Sequence, residues 1–340
     1  MKKRQIFFAV AVVLFNVAQA GQGHSLLGKY PKYYRSESCP MAPAICVRNG
    51  IGQTLQICLE DEYKTFFDAI YLGTRDDATK NEKVYLKAAK KITKLWIHSL
   101  GIDTIPAVIG ELTGLSELWL QPHTSRFSLP LEIKKLHKLR TLWVNCSLDL
   151  TSLPKEIFQL RELTELDLRG NNLTSLPPEI GLLTNLKSLN LSNNRLTSLP
   201  QEISNLTNLE ELWLLNNLFT TIPPEIFALM NLKSLSTGFY GLLSIDGNCI
   251  DVVPSDILAL TKLEKLYLSG NNFTSIPPAI LELPRLELLG LARNKLETLP
   301  PGILQMTKLK NISLSGNPIW NNRAEVPEEI MEFLEGKIFN

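Results

Sequence analysis

One pattern of leucines recurs about every 23 residues through most of the chain, and it constrains the fold more than any other feature. Residues 163–185 read LTELDLRGNNLTSLPPEIGLLTN, and residues 186–208 read LKSLNLSNNRLTSLPQEISNLTN. With 62 leucines in 340 residues, the chain has enough apolar surface to exclude disorder. The pattern predicts one repeat array, although length alone would suggest two domains. The consensus LxxLxLxxNxLxxLPxxIxxLxx begins at Ile92, Leu115, Leu139, Leu163, Leu186, Leu209, Leu232, Leu263, Leu286 and Leu309.

The start of each unit has the alternation of a β-strand. In repeat 4, Leu166 and Leu168 are expected to face the core while Asp167 faces solvent. About seven apolar groups per unit contribute roughly 1.5–3 kcal/mol each when buried, whereas ordering about 23 residues costs roughly 1.5 kcal/mol per residue. A unit is therefore stable only when it stacks against its neighbours.

The pattern resembles the leucine-rich repeat family in its 23-residue form, over residues 92–334. Bacterial surface and effector proteins, plant intracellular proteins and Ras-suppressor-like proteins share this form. The resemblance implies an α/β fold, a curved horseshoe solenoid with a parallel sheet on its concave side and LPxxI on its convex side. Because both ends of a solenoid need cover, we expect a mainly helical N-terminal cap region at 21–91, ten units at 92–325 and a C-terminal capping helix at 326–340.

Residues 1–20 have the layout of a secretory signal peptide. A basic start (Lys2, Lys3, Arg4) precedes the apolar run 6–15, and Ala18-Gln19-Ala20 suits cleavage. The basic start suggests a bacterium, with a product in the periplasm, at the cell surface or outside the cell. Cleavage removes three of the 35 basic residues and leaves all 34 acidic ones, which argues against nucleic acid as a partner. No later apolar run is long enough to predict a membrane span.

The N-terminal region is less regular than the repeats. Helical spacing of apolar residues predicts helices near 63–72 and 79–89. Before them, a Pro-containing loop is expected between the first and third cysteines. In an exported protein, two of Cys39, Cys46 and Cys58 are expected to form one disulfide, with the pairing left open.

An asparagine occupies the ninth consensus position in seven units. An amide both donates and accepts hydrogen bonds, so it can satisfy backbone groups where the strand becomes a loop. A structural role is therefore expected for Asn171, Asn194, Asn217, Asn248, Asn271, Asn294 and Asn317.

The outward strand positions are the candidate binding surface. They form one column that includes four of the five tryptophans: Trp96, Trp119, Trp143, Asp167, Asn190, Trp213, Ser236, Tyr267, Gly290 and Ser313. Solvent-facing aromatic residues are typical of interfaces, although packing between neighbours also accounts for such a column. The residue two positions further on, Arg169 in repeat 4, belongs to a second column of mixed, mainly polar residues. In repeat 7 the inserted loop carries Phe239 and Tyr240, further candidates for recognition.

No motif indicates an enzyme, a cofactor or a metal site. The four histidines lie in different parts of the chain, and neither a nucleophile elbow nor a phosphate-binding loop is present. The sequence therefore predicts an exported, non-enzymatic binding protein that recognises a protein partner through its concave face. Two alternatives remain open, a surface or host-directed factor that binds glycan or envelope polymer and an enzymatic activity in residues 21–91. The oligomeric state is not indicated.

Overall fold

A computed structural model describes residues 44–48, 54–58, 90, 93–99, 105, 107–121, 127–145, 150–236, 247–321 and 323–338. The chain forms two compact units, Met1–Asp167 (unit 1) and Leu168–Asn340 (unit 2). The expected signal peptide at 1–20 and the helices expected near 63–72 and 79–89 lie outside the described residues.

Unit 1 is built on strands that begin as an antiparallel hairpin and continue as a parallel ladder. β1 pairs antiparallel with β2 and β2 with β3, while β3 to β6 pair in parallel in sequence order. The strands are β1 (Ala44–Arg48), β2 (Thr54–Cys58), β3 (Lys94–Ser99), β4 (Glu117–Gln121), β5 (Thr141–Val144) and β6 (Glu165–Asp167).

The hairpin corrects one expectation. Residues 44–48 and 54–58 are strands that extend the sheet beyond the first repeat, where the sequence suggested a loop. AICVR and TLQIC are rich in residues that favour strands. The backbone register places Cys46 opposite Gln56 and Cys58 opposite Ala44, so these two cysteines are not direct cross-strand partners. The disulfide stays a prediction, and Cys39 lies outside the described residues.

Unit 2 is a parallel ladder of short strands in sequence order. Every one of these strands has three residues. They are β7 (Ser188–Asn190), β8 (Glu211–Trp213), β9 (Ser234–Ser236), β10 (Lys265–Tyr267), β11 (Leu288–Gly290) and β12 (Asn311–Ser313).

The LPxxI motif forms a single tight turn on the other side of each repeat. In repeat 5, Ile203 N–H donates to the Pro200 carbonyl at 3.0 Å, and Leu206 N–H donates to the Ile203 carbonyl at 3.0 Å. Proline suits the start of this turn because its fixed φ matches and its missing N–H needs no partner. The 3-10 helices are Ala107–Glu111, Leu131–Lys135 and Lys155–Gln159 in unit 1, and Pro178–Leu182, Gln201–Asn205, Pro224–Ala228, Ser255–Ala259, Pro301–Gln305 and Arg323–Glu325 in unit 2.

Between the strands and these turns lies a continuous apolar core within each unit. The consensus leucines are buried, as Leu142 is in unit 1 and Leu189 in unit 2. Phe219 and Phe273 replace leucine at the eleventh consensus position and are also buried. These positions follow directly from the period of the repeat.

Among its described residues, unit 2 contains three short α-helices. They are α1 (Pro278–Leu281), α2 (Pro318–Asn321) and α3 (Glu328–Leu334). α3 packs against the last LPxxI-type turn with Ile330 and Leu334 buried. It is shorter than the helix expected at 326–340, and Ile338 forms a parallel bridge with Ile312 of the last strand. Its function as a cap stays a prediction.

Candidate functional site

The outward residues of the strands define the sheet face of each unit. In unit 1 the register aligns Trp119 with Trp143 and Trp143 with Asp167. Both indoles are partly exposed. The backbone of Trp96 lies in the same register, opposite Trp119, and its side chain is outside the described part of the structure.

The two tryptophans of unit 1 form an edge-to-face pair. Their ring centroids are 5.9 Å apart, and the ring planes are inclined by 77°, a geometry that aromatic pairs favour. Trp143 Nε1 donates to Glu165 Oε1 at 2.8 Å. Trp143 is therefore positioned by a neighbouring indole and by a carboxylate, in a defined orientation at the surface.

Asp167 is buried, which corrects the expectation that it faces solvent. Its exposed fraction is 5%. The amide of Asn145, oriented with its nitrogen toward Asp167, donates to Asp167 Oδ1 at 3.0 Å and to the Asp167 carbonyl oxygen at 3.3 Å. The larger Trp143 lies opposite in the register. Asp167 is much smaller than Trp143, and a small side chain beside a large one can lose contact with solvent even when it points outward.

The second column is also less exposed than its polar composition suggests. Asn145, Ser192 and Ser269 are 1%, 4% and 3% exposed, while Arg169 is exposed as expected. The buried side chains of this column are short and extend less far from the backbone than the Arg169 side chain does. This column therefore contributes less polar surface than the sequence predicts.

The sheet face of unit 2 has fewer large side chains. Trp213 and Tyr267 are partly exposed, and Gly290 is buried. A Cβ atom on Gly290 would lie 3.2 Å from Tyr267 Cδ1, so the tyrosine ring covers this glycine. Asn190 Oδ1 accepts a hydrogen bond from Ser192 N–H at 3.0 Å. This face is shallow, with aromatic residues separated by small ones.

The asparagines of the ninth position form a buried ladder in unit 2. Asn194 Nδ2 donates to the carbonyls of Leu168 and Leu191, both at 2.9 Å, and Asn194 Oδ1 accepts Leu173 N–H at 3.1 Å. Asn217 repeats these three hydrogen bonds one unit later. From Asn194 onward, each amide thus joins its own repeat to the preceding one. The whole set is buried: Asn171, Asn194, Asn217, Asn248, Asn271, Asn294 and Asn317.

Two comparisons bear on the family. A family model described as a leucine-rich repeat region matches residues 132–242, and a leucine rich repeat model matches 242–296 and 261–319. A leucine-rich repeat protein of Leptospira interrogans is 32% identical, covers 75% of this chain and 74% of its own, and has a TM-score of 0.50. The chain belongs to the leucine-rich repeat family.

A second leucine-rich repeat structure is a plant peptide hormone receptor, RGFR1, in complex with RGF2. It is 28% identical with a TM-score of 0.53, and the match covers 74% of this chain and 44% of the receptor. No curated protein sequence matches the chain.

The leucine-rich repeats of unit 2 also share a backbone feature that the sequence analysis missed. The residue before the ladder asparagine adopts positive φ in six repeats, where left-handed backbone favours glycine and asparagine. These residues are Gly170, Asn193, Asn216, Gly270, Arg293 and Gly316. The signal is visible in the sequence as GN or NN before the loop. Arg293, with φ of 54°, departs from that signal.

A second, exposed set of asparagines lies at the ends of repeats 4, 5 and 6, at Asn185, Asn208 and Asn231. Asn208 Nδ2 donates to the Thr184 carbonyl at 2.9 Å, and Asn231 Nδ2 donates to the Thr207 carbonyl at 2.8 Å. The signal for these bonds is visible in the sequence, because asparagine ends three consecutive units. Its hydrogen bonds tie adjacent turns on the solvent side.

Several predicted positions lie outside the part of the chain that the structure describes. They include Phe239 and Tyr240 of the insertion, His24 and His123, and the side chain of His98, whose backbone lies in β3. Within the described ranges, no group of three or more potential ligands is arranged to hold a metal ion. No helix among the described residues has the length and apolar character needed to cross a bilayer.

Proposed function

We propose that this leucine-rich repeat protein is an exported, non-enzymatic binding protein that recognises a protein partner through its sheet faces. The observation that supports this proposal best is the row of partly exposed aromatic side chains on the strands. Such residues are Trp119, Trp143, Trp213 and Tyr267. Large aromatic side chains held on a rigid sheet lose little entropy on binding and are frequent interface hot spots.

The position of these rings favours binding over packing alone. Along β4 and β5 the partly exposed tryptophans alternate with buried core residues. The Trp119–Trp143 pair still leaves both rings partly exposed. Exposed aromatic surface of this kind is stabilised further when a partner covers it.

The similar structures support a binding scaffold. Leucine-rich repeat proteins are typically non-enzymatic, and RGFR1 is a peptide hormone receptor in complex with RGF2. We extend that use of the fold to this chain as a proposal. Export rests on the charge and apolar pattern of residues 1–20. It is tested by expressing the full chain in bacteria and determining the N-terminus of the mature product, which we expect to be Gly21.

The partner hypothesis is tested with the full chain and paired variants. The double variant Trp119→Ala/Trp143→Ala removes the aromatic pair of unit 1, and Trp213→Ala/Tyr267→Ala removes the aromatic residues of unit 2. Leu131→Ala serves as the matched control, because Leu131 is a 58% exposed apolar residue on the turn side of unit 1. Tagged proteins, shown to be folded by thermal melting, are used to capture partners from bacterial and host extracts.

We expect at least one double variant to weaken partner binding by at least about 1–2 kcal/mol, while the Leu131 variant binds normally. Equal binding by all folded variants would mean that the exposed aromatic residues of the strands only pack against their neighbours and do not bind the partner. Capture of a defined polysaccharide in place of protein, with the same dependence on the tryptophans, would favour the glycan alternative. Normal binding by both double variants together with a catalytic activity would favour an enzyme.

A further inference from the structure

The charges around the aromatic pair of unit 1 indicate what kind of side chain it binds. Resting on the proposed function, we propose that Trp143 and Glu165 together receive a lysine or arginine side chain from an extended basic segment of the protein partner. The described strand residues of this sheet face present one cation and three carboxylates, namely Lys94, Glu117, Glu165 and Asp167.

Two of the three carboxylates already have partners in the structure. Glu117 forms an ion pair with Lys94 at 3.4 Å, and Asp167 is buried with the Asn145 amide against it. Glu165 is only partly buried, and the hydrogen bond it accepts comes from Trp143 Nε1. No cationic side chain in the described ranges is within ion-pair distance of Glu165. Its negative charge therefore remains available at the surface.

The arrangement of Trp143 and Glu165 suits a cation. The 2.8 Å hydrogen bond holds the carboxylate at the edge of the indole. A cationic group over a tryptophan face is attracted by the ring quadrupole, and a carboxylate alongside adds a charge-assisted hydrogen bond. An anionic segment would meet uncompensated carboxylate charge at the same place. Charge complementarity therefore selects a basic partner segment.

Unit 2 offers a matched position without this charge. Trp213 occupies the column of Trp143, and the residue corresponding to Glu165 on the next strand is Ser234. The nearest carboxylate in that column is Glu211, on the same strand as Trp213. Glu211→Gln is thus the control for Glu165→Gln, since both remove one carboxylate beside an aromatic residue on a strand.

The experiment uses the folded full chain and two capped peptides of four Gly-Lys or four Gly-Glu repeats, with binding measured by calorimetry. We expect the Gly-Lys peptide to bind at least about tenfold more tightly than the Gly-Glu peptide. Glu165→Gln and Trp143→Ala should each weaken Gly-Lys binding by about fivefold or more, and Glu211→Gln by less than about twofold. Raising NaCl from about 0.05 to about 0.5 M should weaken binding, because salt screens exposed charges.

Equal affinity for the two peptides, or equal effects of Glu165→Gln and Glu211→Gln, would overturn the inference. So would an absence of Gly-Lys binding under low salt. If the aromatic double variants still abolish partner capture in any of these cases, the proposed function stands and only the basic chemistry of the partner is wrong. If neither peptide discrimination nor partner capture depends on Trp143, both proposals fail.

Discussion

The first three repeat strands of unit 1 end differently from the strands of unit 2, although all of them belong to the same type of repeat. β6 of unit 1, whose repeat contains Asn171, has three residues like the strands of unit 2. β3, β4 and β5 have six, five and four residues, whereas all six strands of unit 2 have three. The ninth consensus position is Leu100, His123 and Ser147 in the first three repeats, and asparagine from repeat 4 onward. Where the buried asparagine is present, its side-chain amide donates a hydrogen bond to a backbone carbonyl at the end of the strand, and the backbone leaves the sheet after three residues. Where asparagine is absent, the strands run on.

Under the proposed function, this difference separates the residues that stabilise the stack from those that recognise a partner. In unit 2 the sheet face is shallow, and order comes from buried amides that link one repeat to the next. In unit 1 the longer strands present Trp119 and Trp143 with carboxylates around them. The regular repeats specify the stack, and the irregular ones provide surface with a distinctive chemistry.

The largest effect is expected from breaking the amide ladder of unit 2. Asn194→Ala removes four hydrogen bonds and leaves Leu173 N–H buried without its acceptor. We expect the free energy of unfolding to fall by about 2–4 kcal/mol, as measured by urea denaturation. Asn190→Ala removes an amide with one local hydrogen bond and should cost about 1 kcal/mol or less. Similar losses from both variants would contradict the importance of the ladder.

A smaller effect is expected on the turn side, where the two units should behave alike. A Cβ on Gly110 of unit 1 would lie 2.8 Å from the Glu132 carbonyl oxygen, and a Cβ on Gly181 of unit 2 would lie 2.6 Å from that of Glu202. Each change to alanine should cost about 1–3 kcal/mol.

The turn-side prediction has an internal control. A Cβ on Gly302 would meet the flexible end of Leu281 at 2.9 Å, so Gly302→Ala should change the free energy of unfolding by less than about 1 kcal/mol. Thermal melting of the three variants compares them directly. A large loss in only one of Gly110→Ala and Gly181→Ala would show that the units also differ on the turn side.

The residues of unit 2 with positive φ allow a test in which one substitution should lower the free energy of unfolding and another should raise it. Gly316 has φ of 74°, and a Cβ there would lie 3.1 Å from Arg293 Cγ, so Gly316→Ala should destabilise by about 1–2 kcal/mol. Arg293→Gly removes the strain of a left-handed arginine and should stabilise by up to about 1 kcal/mol. Chemical denaturation measures both, and a loss of stability from Arg293→Gly would indicate that the arginine side chain stabilises more than its backbone costs.

The smallest effect is expected from a surface ion pair. Lys233 Nζ donates to Glu210 Oε2 at 2.6 Å, which lowers the pKa of Glu210 and raises the pKa of Lys233. Because the folded pKa of Glu210 is lowered, its contribution is present above the unfolded pKa and is lost as the pH falls through the folded value. The melting temperature falls as the pH is lowered into the acid range, and Glu210→Gln should reduce this fall by no more than about 1 °C. A larger shift would mean that this exposed pair matters more than surface ion pairs usually do.

Much of the repeat could be predicted from the sequence because its period fixes which residues face the core. The buried state of Leu166 and Leu189 follows from counting positions. The burial of Asp167 could not be predicted in this way. Strand alternation gives the direction of a side chain, but it does not give the size of the neighbouring side chains that cover it. The cover that Tyr267 provides over Gly290 is hidden from the sequence for the same reason.

The hairpin before the first repeat was missed for a different reason. Proline and cysteine near residues 39–58 indicated a loop closed by a disulfide, and no repeat pattern was present to correct that interpretation. The strand register aligns Trp119, Trp143 and Asp167 as the sequence predicts, and the binding role of this column stays a prediction. The sequence did not identify Glu165 as a partner of the Trp143 indole, because the two residues are 22 positions apart and meet only through the stacking of repeats.

The buried ladder gives the stack of unit 2 a direction. From Asn194 onward, each amide oxygen accepts an N–H from the repeat before it, as Asn317 does for Leu296 and Asn294 does for Phe273. Loss of a repeat from the C-terminal end therefore exposes a donor in the repeat that remains, whereas loss from the N-terminal end frees only an amide that water can solvate. Hydrogen exchange at these N–H groups should consequently report fraying from one end of the stack and be insensitive to fraying from the other.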